Sequence, residues 1–152
     1  MTMTTSAITP EFSRPLALAA FPPAGQRIEV AASSAECQAL ARRFGLPSIE
    51  RLSCTFTLQR EPGGAIHASG LLIALLTQVC CVSLDEFAAS IEERFTVRFV
   101  PSGNESTNFD PDAPDEIPYA GGVLDLGEAA AEQLALALDP WPRKPDAPTF
   151  HA

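Results

Sequence analysis

Apolar positions recur every second residue through the middle of the chain and at helical spacing on either side of it. Leu52, Cys54, Phe56 and Leu58 alternate with Ser53, Thr55, Thr57 and Gln59, the period of a strand with one buried face. Pro62, Gly63 and Gly64 then mark a turn, so residues 65–79 are expected to return antiparallel and complete a hairpin. The apolar run at residues 71–76 has no period of its own, but the turns around it and Thr77, Val79 and Val82 favour strand over buried helix. Phe87, Ala89, Ile91, Phe95, Val97 and Phe99 share one parity, with Arg94, Thr96 and Arg98 on the other, which predicts a long strand with one wet face. The spacing Phe87, Ile91, Phe95 would also suit a helix; the continuation from Thr96 to Val100 would not.

Helical spacing appears twice. Ser34 is placed to cap a helix over residues 35–44, with Leu40 and Phe44 on one face and Gly45 as its stop. Asp125 with Glu128 three residues later has the form of a capping box, and Leu126, Ala130, Leu134 and Leu138 make an apolar stripe that should dock on the sheet. That helix must end before Asp139-Pro140-Trp141-Pro142, where the indole is expected to cover its last turn. Residues 16–20 and 27–31 leave room for short edge strands. The fold class predicted is α+β: an antiparallel sheet, open or closing part-way into a barrel, with one helix before and one after the central strands.

The length of 152 residues suits one core. Residues 1–10 are expected to be disordered, residues 11–140 to form a single domain, and residues 141–152 to be a tail. Net charge is −9, unevenly placed: residues 1–100 carry eight basic and nine acidic side chains, residues 101–152 two and ten. Such a balance gains little from the counterion release that drives sequence-independent nucleic-acid binding, so RNA contact would need a local arginine face, whereas a basic protein partner is electrostatically easier. Residues 104–118 are acidic and Pro-rich and read as a solvated loop; Glu105, Asp110, Asp112, Asp115 and Glu116 lack the spacing of a calcium loop.

Four cysteines (Cys37, Cys54, Cys80, Cys81) are expected to be reduced, since residues 1–20 lack the basic-then-apolar pattern of a secretory leader, and the chain is read as cytoplasmic. The longest strictly apolar run, residues 71–76, is too short to span a bilayer. The cysteines lack paired zinc-ribbon spacings. A cysteine nucleophile with a histidine base would have to use His67 or His151, and no local signature supports either. Trp141 beside Arg143 and Lys144 is weak as a base-stacking site. No catalytic residue, cofactor or metal is therefore assigned.

The stretch at residues 77–87 (Thr-Gln-Val-Cys-Cys-Val-Ser-Leu-Asp-Glu-Phe) resembles the knuckle of the YceD family of ribosomal-RNA accumulation proteins. In many members this turn carries Cys-x-x-Cys; here Cys80 matches the first thiol and Ser83 falls on the second. Residues 11–15, 39–47, 95–101, Asp125-Leu126 and residues 132–140 resemble the family as well, so the likeness runs nearly end to end. It implies a non-enzymatic ribosome-biogenesis role in accumulation of large-subunit ribosomal RNA, and it implies no catalytic residues.

The expected partners are a basic large-subunit ribosomal protein, large-subunit ribosomal RNA, or both, with no membrane. Asp110, Asp112, Asp115 and Glu116 are the candidate contacts for a basic protein. Arg42, Arg43, Arg94 and Arg98 are the candidates for RNA, with Cys80 marking the knuckle. A small-ligand-binding barrel would instead need an apolar cavity behind residues 72–76 and 95–99, and a thiol enzyme would need a reactive Cys80 near His67.

Overall fold

The computed structural model describes residues 11–20, 25–103 and 115–143. The elements, in chain order, are β1 (Pro15–Ala17), β2 (Gln26–Ala31), α1 (Ser34–Phe44), β3 (Ser48–Arg60), β4 (Ile66–Val79), β5 (Glu86–Pro101), β6 (Asp115–Tyr119), β7 (Val123–Asp125) and α2 (Leu126–Ala137). A five-stranded sheet runs in the order β2-β3-β4-β5-β6, and β1 pairs with β7 in a separate ribbon. The α+β class holds, and the sheet is open rather than a closed barrel.

Side-chain alternation explains the layering. Leu52, Cys54, Phe56 and Leu58 of β3 are buried together with Ile66, Ala68, Leu72, Ala74 and Leu76 of β4 and Val97 and Phe99 of β5. The register pairs Phe56 with Gly70 and Gly70 with Phe95, so each apolar parity falls on the same face. Cys37, Leu40 and Ala41 of α1 join that core, as do Leu126, Ala130, Ala131 and Leu134 of α2. Both helices therefore cover one face and leave the other to solvent. Behind residues 72–76 and 95–99, where a barrel cavity would have lain, Leu72, Ala74, Leu76, Val97 and Phe99 share one core with the α2 side chains and Phe95 packs against it.

Close backbone approach sets two positions. A Cβ at Gly70 would lie 2.2 Å from the Phe95 ring, which itself meets Phe56 edge-on at 5.8 Å between centroids. A Cβ at Gly127 would lie 2.7 Å from the carbonyl oxygen of Phe12. The chain at residues 12–14 can thus lie against the start of α2, where Asp125 accepts hydrogen bonds from the Ser13 hydroxyl and the Arg14 amide at 2.7 and 2.8 Å.

Several expectations are corrected. The cap of α1 is Ser33, not Ser34: its hydroxyl accepts from the Glu36 amide while the Glu36 carboxylate accepts from the Ser33 amide, a reciprocal capping box one residue earlier than the sequence suggested. Asp125 caps α2 through the Glu128 amide, but the Glu128 carboxylate turns to Arg43 instead of back to its own cap. The strand expected at residues 16–20 is β1, followed by a 3-10 turn over Leu18–Ala20. Residues 115–118 do not belong to a loop: they form most of β6, which runs parallel to β5 and makes the sheet mixed. Ile117 and Tyr119 pack against the core and supply the anchor that the charge pattern concealed. Trp141 leaves the end of α2 uncovered and is 74% exposed.

Candidate partner-binding surfaces

The predicted basic residues occupy different surfaces. Arg94 and Arg98 project from the uncovered face of β5, four residues and therefore roughly 13 Å apart along the strand. Arg42 and Arg43 lie on α1, across the sheet from them. Two of the four are tied within the molecule. Arg43 bonds Glu11 and Glu128, each at 3.0 Å, and Arg98 bonds Glu61 at 2.6 Å and Glu116 at 3.0 Å. These carboxylates raise both guanidinium pKa values further, chiefly through Glu128 for Arg43 and Glu61 for Arg98. Arg42 and Arg94 are exposed and have no carboxylate partner among the described residues. The four do not form one face.

Of the acidic candidates, Asp110 and Asp112 lie outside the described residues. Asp115 is exposed at the start of edge strand β6, and Glu116 is turned towards Arg98. A carboxylate that sequence reasoning missed lies nearby. Glu132 of α2 sits with Glu128 on the rim of a groove of about 290 Å³ walled by Phe99, Ile117, Tyr119 and Val123. Desolvation, then the neighbouring Glu128, pushes the Glu132 carboxyl pKa up, while Arg43 pulls it down. Helical spacing i, i+4 could have flagged Glu128 and Glu132 as like-charged neighbours; nothing in the sequence showed that an apolar strand edge would face them.

Cys80 lies in the knuckle joining β4 to β5. It is buried, and its sulfur accepts from the Ser83 amide at 3.4 Å, so the residue in the place of a second thiol contributes its backbone instead. The Cys81 amide donates to the Pro142 carbonyl at 2.7 Å, fastening the knuckle to the segment after α2. Leu84 completes the turn in the left-handed region at φ 65° and is 75% exposed. His67 is thirteen residues from Cys80, twelve of them along the same continuous strand, which places them roughly 40 Å apart and rules out that dyad. His151 lies outside the described residues. Cys37, Cys54 and Cys80 are buried and Cys81 is exposed, and none of the four forms a disulfide. Burial pushes the Cys54 thiol up to about 12, the opposite of an activated nucleophile. Among the described residues no three His, Cys, Asp or Glu side chains converge as a metal site, and no helix is long and apolar enough to cross a membrane.

The uncovered face holds one further constellation. Arg27 of β2 and Arg94 of β5 line opposite sides of a hollow of about 230 Å³, floored by Thr55, Thr57, Ser69, Leu71 and the Gly70 backbone. Register sets their places: Arg27 is level with Thr57 and Ser69, while Arg94 is level with Leu71, Thr55 and, on β2, Glu29, so three strand spacings, roughly 14 Å, part the two backbones and the side chains reach inward over the strands between.

No characterised protein and no solved structure matches the chain. The family described as large ribosomal RNA subunit accumulation protein YceD matches residues 69–151, which span the second half of the central hairpin, the knuckle, β5, β6 and α2. More than half of the sequence lies within that match, and the chain belongs to the YceD family.

Proposed function

We propose that the protein is a non-enzymatic ribosome-biogenesis factor that supports accumulation of large-subunit ribosomal RNA by binding a basic large-subunit ribosomal protein. Family membership supports the ribosomal context. The groove beside α2 carries the choice of a protein partner: its apolar walls offer burial, and Glu132 at its rim has a raised carboxyl pKa and no bonded cation among the described residues. A lysine or arginine from a partner would favour the ionised carboxylate, and apolar side chains beside that cation would fill the walls. The excess of acid beyond residue 100 steers a basic partner to the same end of the chain. Arg43 and Arg98 are engaged in ion pairs within the protein, which favours RNA as a secondary contact.

Affinity capture from a lysate, in parallel arms with and without ribonuclease, tests this reading. A small basic large-subunit protein should be retained in both arms and depleted by Glu132→Gln combined with Asp115→Asn. Loss of every ribosomal protein after nuclease would contradict it.

A further inference from the structure

We propose that the hollow between Arg27 and Arg94 is a binding site for the phosphate group of a nucleotide or nucleic-acid ester. This goes beyond the protein-binding groove and stands independently of it, on the face of the sheet that neither helix covers.

Three observations converge on an anion. Where arginines of this protein meet carboxylates they pair closely: Arg14 reaches Glu36 at 2.7 Å, and Arg43 and Arg98 each bridge two acids. Arg27 and Arg94 form no ion pair among the described residues, although Glu29 and Glu92 stand two residues away on the same strands and the same face. In a chain of net charge −9, two guanidiniums that no described carboxylate contacts thus border one small hollow. Between them, the hydroxyls of Thr55, Thr57 and Ser69 have no hydrogen-bond partner among the described residues. The site therefore offers two forked cationic donors and three hydroxyls, and a phosphate, with several oxygens able to accept from different directions, satisfies that arrangement.

The surroundings narrow the ligand further. A hollow of about 230 Å³ lies below the usual range for a whole drug-sized ligand, roughly 300–1,000 Å³, so it suits one phosphate with part of its ester. Leu71 lies in its floor, and Ile73 and Leu75 continue from it along β4, both exposed. A sugar or base carried by the phosphate would lie along this apolar stripe. Aliphatic side chains do not stack bases as aromatic platforms do, so recognition should rest on the phosphate and be tolerant of base identity.

Amide chemical shifts of the full chain, followed by NMR during separate titrations with inorganic phosphate, a nucleoside monophosphate and a short single-stranded RNA, test the site. Saturable shifts at Thr55, Thr57, Ser69 and Leu71 are expected with the nucleotide and with the RNA, more weakly with inorganic phosphate. A nucleotide that binds as well as RNA identifies a free nucleotide as the source; a much tighter RNA identifies the polymer backbone, and either supports the site. Arg27→Ala or Arg94→Ala should each weaken nucleotide binding about tenfold, with recovery on Arg→Lys, because each removes a charge-assisted contact. The RNA salt slope should shrink by about 0.7 per arginine removed. Both side chains are exposed, so the fold should be retained. Capture of a basic protein through the α2 groove should be unaffected, which separates failure of one reading from failure of the other. Absence of saturable shifts at these residues with all three probes, or shifts indifferent to both alanine variants, would overturn the proposal.

Discussion

At the residue scale, single contacts carry measurable consequences. Gly70 faces the core directly beneath the Phe95 ring, so Gly70→Ala should force that ring out of its edge-on contact with Phe56 and destabilise the protein by about 1–3 kcal/mol. Thermal melting checks this, and Phe95→Leu in the same chain should recover part of the loss; additive destabilisation would mean that the two residues do not meet. Glu36 is the second case. The Arg14 guanidinium, ahead of the Ser33 amide, holds its carboxyl down at about 2, below the ordinary 4.5. A carboxylate whose folded value is depressed stabilises the fold above its unfolded value and loses that contribution as pH falls from about 4.5 towards 2. Glu36→Gln should therefore lower stability at neutral pH by up to about 1 kcal/mol and flatten the acid limb of the stability profile, since it removes the ion pair with Arg14 while the Gln amide oxygen can still accept from the Ser33 amide and keep the capping box closed. An unchanged acid limb in denaturant titrations would contradict the role of Arg14.

At the scale of elements, alternation made the hairpin legible. The parities of residues 52–58 and 87–99 identify the buried faces of β3 and β5, and the double glycine after Pro62 marks the turn between β3 and β4. β6 was not legible, because a parallel edge strand held by its neighbour needs no alternation of its own, and three of its five residues are Asp115, Glu116 and Pro118. From sequence the α1 cap is placed one residue late, at Ser34; Glu36, three residues after Ser33, closes the capping box there instead. The knuckle shows the same limit, since no sequence pattern announces a leucine in the left-handed region. Because Leu84 is both strained and exposed, Leu84→Asn should leave the melting temperature unchanged or raise it slightly, as Asn tolerates that conformation better. A clear fall would show that the Leu84 side chain packs within the isolated protein.

At the scale of the molecule, the fold separates two chemistries. One end of the covered side presents an acidic, apolar groove beside α2; the uncovered sheet face presents the Arg27–Arg94 hollow. Of the candidate contacts read from sequence, the structure disperses the four arginines and ties Arg43, Arg98 and Glu116 within the protein, whereas the groove and the hollow depend on pairing register and helix docking that residue types alone do not reveal. The central claim is that a basic ribosomal protein, rather than RNA, is the first partner. Its most direct test is the affinity of the purified chain for purified basic large-subunit proteins and for naked large-subunit ribosomal RNA, across a salt series. The account predicts saturable binding to one such protein that weakens with salt, strengthens as pH rises through the elevated Glu132 pKa, and falls with Glu132→Gln and Asp115→Asn. Tight binding to naked ribosomal RNA at physiological salt, lost on Arg42→Ala and Arg94→Ala and indifferent to the acidic substitutions, with no basic protein bound, would contradict it.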